Sequence, residues 1–135
     1  MASFLTLLFP LLAIITVVPK TVVKAAPDLT YISALCSQKR DPNPPKLRNL
    51  ALQATDLAID VVSPGTAGNC GTVLTDPDMF GFGSCPTSGS DEDCTACLKF
   101  AQDWLLNTLC KNVYGGQITL AGCFLRFETY NFCLP

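Results

Sequence analysis

The sequence predicts an α+β domain in which two α-helices pack on one face of an antiparallel sheet and disulfides tie the layers together. Three observations carry that prediction. Two segments repeat apolar residues at three- and four-residue spacing, the mark of amphipathic helices. The stretches that follow each of them are rich in β-formers punctuated by glycine and proline. Eight cysteines, an even number, stand in a chain of 135 residues that opens on an uncharged apolar run. Such a count behind an export-type segment reads as a disulfide framework in an oxidising compartment.

The apolar run is FLTLLFPLLAIITVV, residues 4–18. It is shorter than the roughly 20 apolar residues of a membrane span. Val23 and Ala25 in the following PKTVVKAAPD form a small-x-small exit, so cleavage is expected after Ala25. Residues 1–25 are therefore expected to be a signal peptide and residues 26–135 a single secreted domain. No Lys or Arg precedes the run, so the positive start of the signal rests on the α-amino group. With Lys20 and Lys24 removed, seven basic residues face eleven acidic ones, a formal charge of −4. An acidic surface repels phosphate backbones, which argues against nucleic acid as a partner. It equally argues against lysis of anionic membranes, and no second apolar stretch approaches spanning length. A domain this small buries a limited core, so each disulfide, at roughly 2–4 kcal/mol, matters to its stability.

Residues 40–46, RDPNPPK, break the chain and open the first helix, with Asn43 as the expected cap and Pro44 in the first turn. Leu47, Leu50, Ala51, Ala54, Leu57, Ala58 and Val61 form its stripe, which ends near Val62. GTVLTDPDMFGFGSC reads as two short strands about the turn Asp76-Pro77-Asp78. Ser90 caps the second helix, and Asp91, Glu92 and Asp93 sit near its positive end. Cys94, Cys97, Leu98, Ala101, Leu105 and Leu109 make its stripe, widened by Phe100, Trp104 and Leu106. Trp104 is expected to be mostly buried against the sheet. Gly115-Gly116 is expected to turn the chain into a long β-rich tail, QITLAGCFLRFETYNFC, bent at Gly122. The order is helix, strands, helix, strands.

Most chemistries are excluded. The chain has no histidine, so Ser-His-Asp and Cys-His schemes cannot be assembled within it. A zinc site would need histidine or a second C-x-x-C. Cys94-x-x-Cys97 has redox spacing at a helix start, where thiolates are stabilised, but it follows a loop rather than the strand of a thioredoxin unit. GFGSC is not followed by G-K-[ST] and is no phosphate loop. The carboxylates Asp76/Asp78 and Asp91–Asp93 serve a turn and a cap. No cofactor, metal or catalytic residue is expected, and no hydrolase-inhibitor motif is present. There is no N-x-[ST] sequon. One polar constellation remains. Strand alternation puts Phe124, Arg126 and Glu128 on one face and Cys123, Leu125 and Phe127 on the other. The first face is either a solvated Arg–Glu pair or a sugar-binding surface, where a carboxylate accepts from vicinal hydroxyls and an aromatic ring covers C–H patches.

Cys85-x8-Cys94-x2-Cys97, a further cysteine after the helix at Cys110, and Cys123 in CFLRFETYNF together resemble the ginkbilobin-type domain of plants, also called the salt-stress-response/antifungal domain. The resemblance runs from about Tyr31 to Phe132. It implies two helices on a curved antiparallel sheet, with bridges Cys36–Cys110, Cys85–Cys94 and Cys97–Cys123. Cys70 and Cys133 are left over and are expected to pair with each other. A lipid-transfer protein would need adjacent Cys-Cys and C-x-C, which are absent. The resemblance also implies a secreted antifungal lectin for mannose, its carbohydrate site an Asn, an Arg and a Glu. At those positions this chain has Ser37, Gln117 and Glu128, so only the glutamate is kept. Two functions are therefore expected: an apoplastic defence protein that binds fungal or cell-wall carbohydrate such as mannan, or an interaction module that pairs with a receptor ectodomain or another secreted protein without sugar affinity.

Overall fold

The computed structural model of the chain describes residues 26–133, and the expected signal peptide lies outside the described residues. The elements run β1 (Tyr31–Cys36), α1 (Lys46–Ile59), β2 (Asn69–Val73), β3 (Met79–Ser84), α2 (Asp91–Trp104), a π-helical turn (Leu105–Leu109), β4 (Gly115–Leu120) and β5 (Cys123–Glu128). The five strands form one antiparallel sheet in the order β1-β4-β5-β3-β2. Helix α1 packs on β2 and β3 and helix α2 on β5, on the same face. This is the expected α+β class.

Helix α1 lies unusually close to the sheet. Its buried face is made of small residues: Ala51, Ala54 and Ala58 have no exposed surface. Beneath them Gly71 of β2 pairs with Gly81 of β3. A Cβ at Gly81 would stand 2.7 Å from the Ala54 carbonyl carbon, closer than side-chain carbons approach backbone. The helix backbone therefore rests on strand backbone, and only glycine permits it. Leu57 and Val61 from the expected stripe are exposed, and the helix ends at Ile59, short of Val62. The apolar stripe is thus narrower than the spacing suggested.

The helix start also differs from expectation. Asn43 is not the cap. The Asp41 carboxylate accepts from the Leu47 N–H (2.8 Å) and from the Asn43 N–H (2.8 Å). The bend through Pro42 to Pro45 places the earlier residue over the helix end, where it satisfies a donor the helix leaves open. Ser90 does cap α2, accepting from the Asp93 N–H (3.1 Å). Cys94, Cys97, Leu98, Ala101, Leu105 and Leu106 are buried beneath it. Trp104 is mostly covered, as expected, but packs at the edge of the core rather than within it. It lies at the rim between Tyr31 (ring centroids 5.4 Å) and the exposed Phe100 (5.7 Å). Its side of α2 faces the β1 edge, where the sheet ends, while the Cys97–Leu98–Ala101 side faces β5. The helices are tied by a polar contact: the Gln102 amide donates to Thr55 Oγ1 (2.8 Å) and Asp56 Oδ1 (2.7 Å).

Strand β1 was not among the expected elements. It is an edge strand, exposed along most of its length, so it shows no alternation to read. Gly115-Gly116 is not a turn but the start of β4. A Cβ at Gly116 would press on Cys110 Sγ (2.8 Å) and the Phe127 ring (3.1 Å). These glycines make room rather than bend the chain. The turn falls at Ala121-Gly122, where Leu120 pairs with Cys123 to close the β4–β5 hairpin.

Four disulfides join Cys36–Cys110, Cys70–Cys133, Cys85–Cys94 and Cys97–Cys123. Cys94 and Cys97 thus belong to different bridges and do not form a redox pair. Cys70–Cys133 draws the chain end across the outer face of the sheet to β2.

Two outcomes are expected. Gly81→Ala should destabilise the domain by about 1–3 kcal/mol or more, the range for overpacking, because the obstructing atoms are backbone; urea unfolding at constant m-value measures it. An unchanged midpoint would contradict the close approach of α1. The Cys70→Ser/Cys133→Ser double variant should stay folded but lose about 2–4 kcal/mol, as expected for opening a long covalent loop. Peptide mapping without reductant checks the pairing itself.

Candidate functional site

The helix-free face of the sheet gathers the three positions that the family resemblance singles out. Register sets Leu35 opposite Gln117 and Gln117 opposite Arg126. One step along, Ser37 N–H donates to Gly115 O (2.8 Å), and Gly115 pairs with Glu128. Two rows thus cross β1, β4 and β5: Ser37–Gly115–Glu128 and Leu35–Gln117–Arg126. Two strand spacings put Ser37 about 10 Å from Glu128 between backbones, with Gln117 between them on the neighbouring row. Glu128 leans over Gly115, where any Cβ would collide with its carboxylate. The glycine is therefore part of the site's construction.

Glu128 and Arg126 form the paired face expected from strand alternation. Arg126 Nε donates to Glu128 Oε1 (3.3 Å), and both side chains are largely covered. Burial raises the Glu128 carboxyl above its ordinary value, and the hydrogen bond and charge of Arg126 pull it partly back. Arg126 is itself held in place. Its Nη2 donates to the Tyr130 hydroxyl (2.8 Å), and its guanidinium lies 4.3 Å over the Phe132 ring. Ser37 is partly spoken for: its hydroxyl oxygen accepts from the Lys39 N–H (3.2 Å), which leaves its proton to donate. The Gln117 amide has no side-chain hydrogen bond among the described residues and is free to donate and accept. The arrangement offers a carboxylate oxygen, an amide, a hydroxyl proton and spare guanidinium N–H groups on one rigid surface. Such a set suits a neutral polyhydroxyl ligand.

Beside these residues is an aromatic patch that alternation alone did not reveal. Phe82 lies 6.0 Å from Phe124 and 6.5 Å from Phe132 between ring centroids. With Arg126 and the Cys70–Cys133 bridge they line a recess of about 220 Å³. The alternating GFG segment of β3 and the leftover pair Cys70 and Cys133 were the signals for it. Among the described residues, no group of three or more His, Cys, Asp or Glu could hold a metal ion, and no helix is long and apolar enough to cross a membrane.

Comparison with known proteins agrees with this architecture. The salt stress response/antifungal family signature matches residues 35–130. The chain is 32% identical over 113 residues to the antifungal protein ginkbilobin-like protein 1 of Picea sitchensis, covering 78% of this chain and 81% of that protein. It is 29% identical over 114 residues to antifungal protein ginkbilobin-2 of Ginkgo biloba, covering 79% and 81%. In fold it is similar to the tandem DUF26 ectodomain of the Arabidopsis thaliana cysteine-rich receptor-like protein PDLP8, with a TM-score of 0.66 at 24% identity. That likeness covers 77% of this chain but only 50% of the ectodomain. With the family signature and whole-domain relatives in agreement, the chain belongs to the ginkbilobin-type, salt stress response/antifungal family.

Proposed function

We propose that this protein is a secreted plant defence protein, without catalytic activity, whose outer sheet face binds mannose-type carbohydrate through Ser37, Gln117 and Glu128. The observation that carries the reading is the convergence of these residues on one face, with the Glu128 carboxylate pinned by Arg126. The antifungal names of the relatives support the defence role. Glu128 is the principal acceptor, since its second carboxylate oxygen is open to vicinal hydroxyls. Ser37 reaches less far than an asparagine would. Gln117 lacks the charged fork of an arginine, and Arg126 on the next strand supplies part of that charge. Each charge-assisted bond is worth about 1.5–3 kcal/mol, so affinity is expected to be weak.

A second reading has its own support. Glu128 Oε1 and the Ser37 oxygen are already occupied by partners within the chain, which suits a face that no sugar needs to satisfy. In that case the domain is an extracellular interaction module, as the receptor-like ectodomains of similar fold suggest.

Calorimetry separates the two. Glu128→Gln should abolish mannose binding. Ser37→Asn with Gln117→Arg should tighten it tenfold or more, about 1.4 kcal/mol per decade. No mannose heat from the doubly substituted protein would favour the interaction module. The acid dependence is a separate check. The ionised Glu128 is the accepting form and its carboxyl titrates above the ordinary value. Mannose affinity of the unsubstituted protein should therefore fall as pH is lowered, beginning above the usual glutamate range. A flat profile through that range would remove Glu128 from the contact.

A further inference from the structure

The strand that leads into this face is also an open edge. β1 pairs with β4 on one side only. Edges of this kind are normally blunted by charge, proline, a bulge or short length. Residues 30–38 contain no charged residue and no proline; the irregularity between Tyr31 and Ser33 is the one interruption of the β1 pairing. Tyr31, Ile32 and Leu35 stand 47%, 59% and 67% exposed along it. The far edge is different: β2 has glycine at its centre, and Cys70 anchors the chain end there.

The hydrogen-bonding groups and the charges of this edge are complementary to themselves. Ser37 N–H points to β4, so by alternation Ser33, Leu35 and Ser37 direct their backbone groups inward, and Ala34 and Cys36 direct theirs outward. A second β1 laid antiparallel about Ala34 would exchange N–H···O bonds at Ala34 and between the flanking outward groups. On the outer face the two Leu35 side chains become diagonal neighbours, within contact range for such pairs. The same two-fold brings Asp28 of each chain to the Lys39–Arg40 end of the other. All three residues are exposed. Asp28 accepts from the Thr30 N–H (3.0 Å), and Thr30, through its side chain first and its backbone second, holds the carboxyl below its ordinary value. No ion pair engages Arg40 among the described residues. An isologous interface needs this self-complementarity.

We propose that β1 is a dimerisation edge, pairing antiparallel with β1 of a second copy about Ala34 to form one continuous ten-stranded sheet. The two carbohydrate faces then lie on the same side of that sheet, one on each copy next to the junction.

Sedimentation of the oxidised protein from a secretory host, from about 1 μM to about 1 mM, spans the affinities expected of such an interface. The expected result is a concentration-dependent dimer. Leu35→Lys should weaken it at least tenfold, with an unchanged melting temperature at concentrations where the protein is monomeric, because Leu35 is exposed in the single chain. Asp28→Arg and Arg40→Glu should each weaken it, and the two together should restore it. A monomer throughout the range would overturn the proposal and leave the edge to an extended segment of a different protein. A dimer indifferent to Leu35→Lys and to the charge exchange would overturn it as well, by placing the interface elsewhere.

Discussion

Helix α1 settles onto the sheet until backbone meets backbone. Ala54 lies over the Gly71–Gly81 pair with no side chain between. The alanine face above and the glycine pair below are two halves of one contact, and neither works without the other. Close approach brings the second half of α1 within reach of α2, where Gln102 and Thr55 share a hydrogen bond in a dry setting. A buried amide of this kind is costly if left unpaired, so it fixes the relative placement of the helices more narrowly than leucine packing would. The core of Leu98, Leu105, Ile118, Leu125 and Phe127 then fills the space between α2 and β4–β5.

Both helices occupy one side, which leaves the other face of the sheet free of helix. That side is divided. The chain end, drawn over by Cys70–Cys133, covers the β3–β2 half and brings Phe132 beneath the Arg126 guanidinium. The β1–β4–β5 half stays open. Arg126 and Glu128 sit on the boundary, and their orientation depends on both halves. A site built on paired strands is held more tightly than one carried by loops. Here the price of that rigidity is a glycine at position 115, without which the Glu128 carboxylate could not lie flat over its neighbour.

Much of this was legible in the residues. Periodic apolar spacing located both helices, the Ser90 cap followed from its hydroxyl ahead of three acids, and alternation in β5 assigned Leu125 and Phe127 to the core and Arg126 and Glu128 to the open face. What was not legible has physical causes. β1 carries no burial alternation because it is an edge. Gly115-Gly116 looks like a turn in isolation, since the crowding by Cys110, Phe127 and Glu128 comes from residues distant in sequence. Asp41 caps α1 from outside the usual position because the proline bend redirects the chain. At the candidate site the family resemblance picks out Ser37, Gln117 and Glu128 only as separate positions along the chain. Register brought them into two rows, and the Ser37–Lys39 contact showed that one of them is partly occupied.

The strand order β1-β4-β5-β3-β2 has a consequence for how the chain matures. The central strands are the last to be made, and the edge strands are the first. Strand β1 has no partner until β4 is made, whereas α1, β2 and β3 follow one another in the chain and pack on one another. Of the covalent links, Cys85–Cys94 spans 9 residues and closes locally, whereas the other three require cysteines at or beyond position 110. Local contacts form quickly and distant ones slowly, so the α1–β2–β3 unit and the Cys85–Cys94 loop are expected to form before β1 meets β4. Until then the uncharged β1 segment is an unpaired strand that waits for a partner made near the end of the chain.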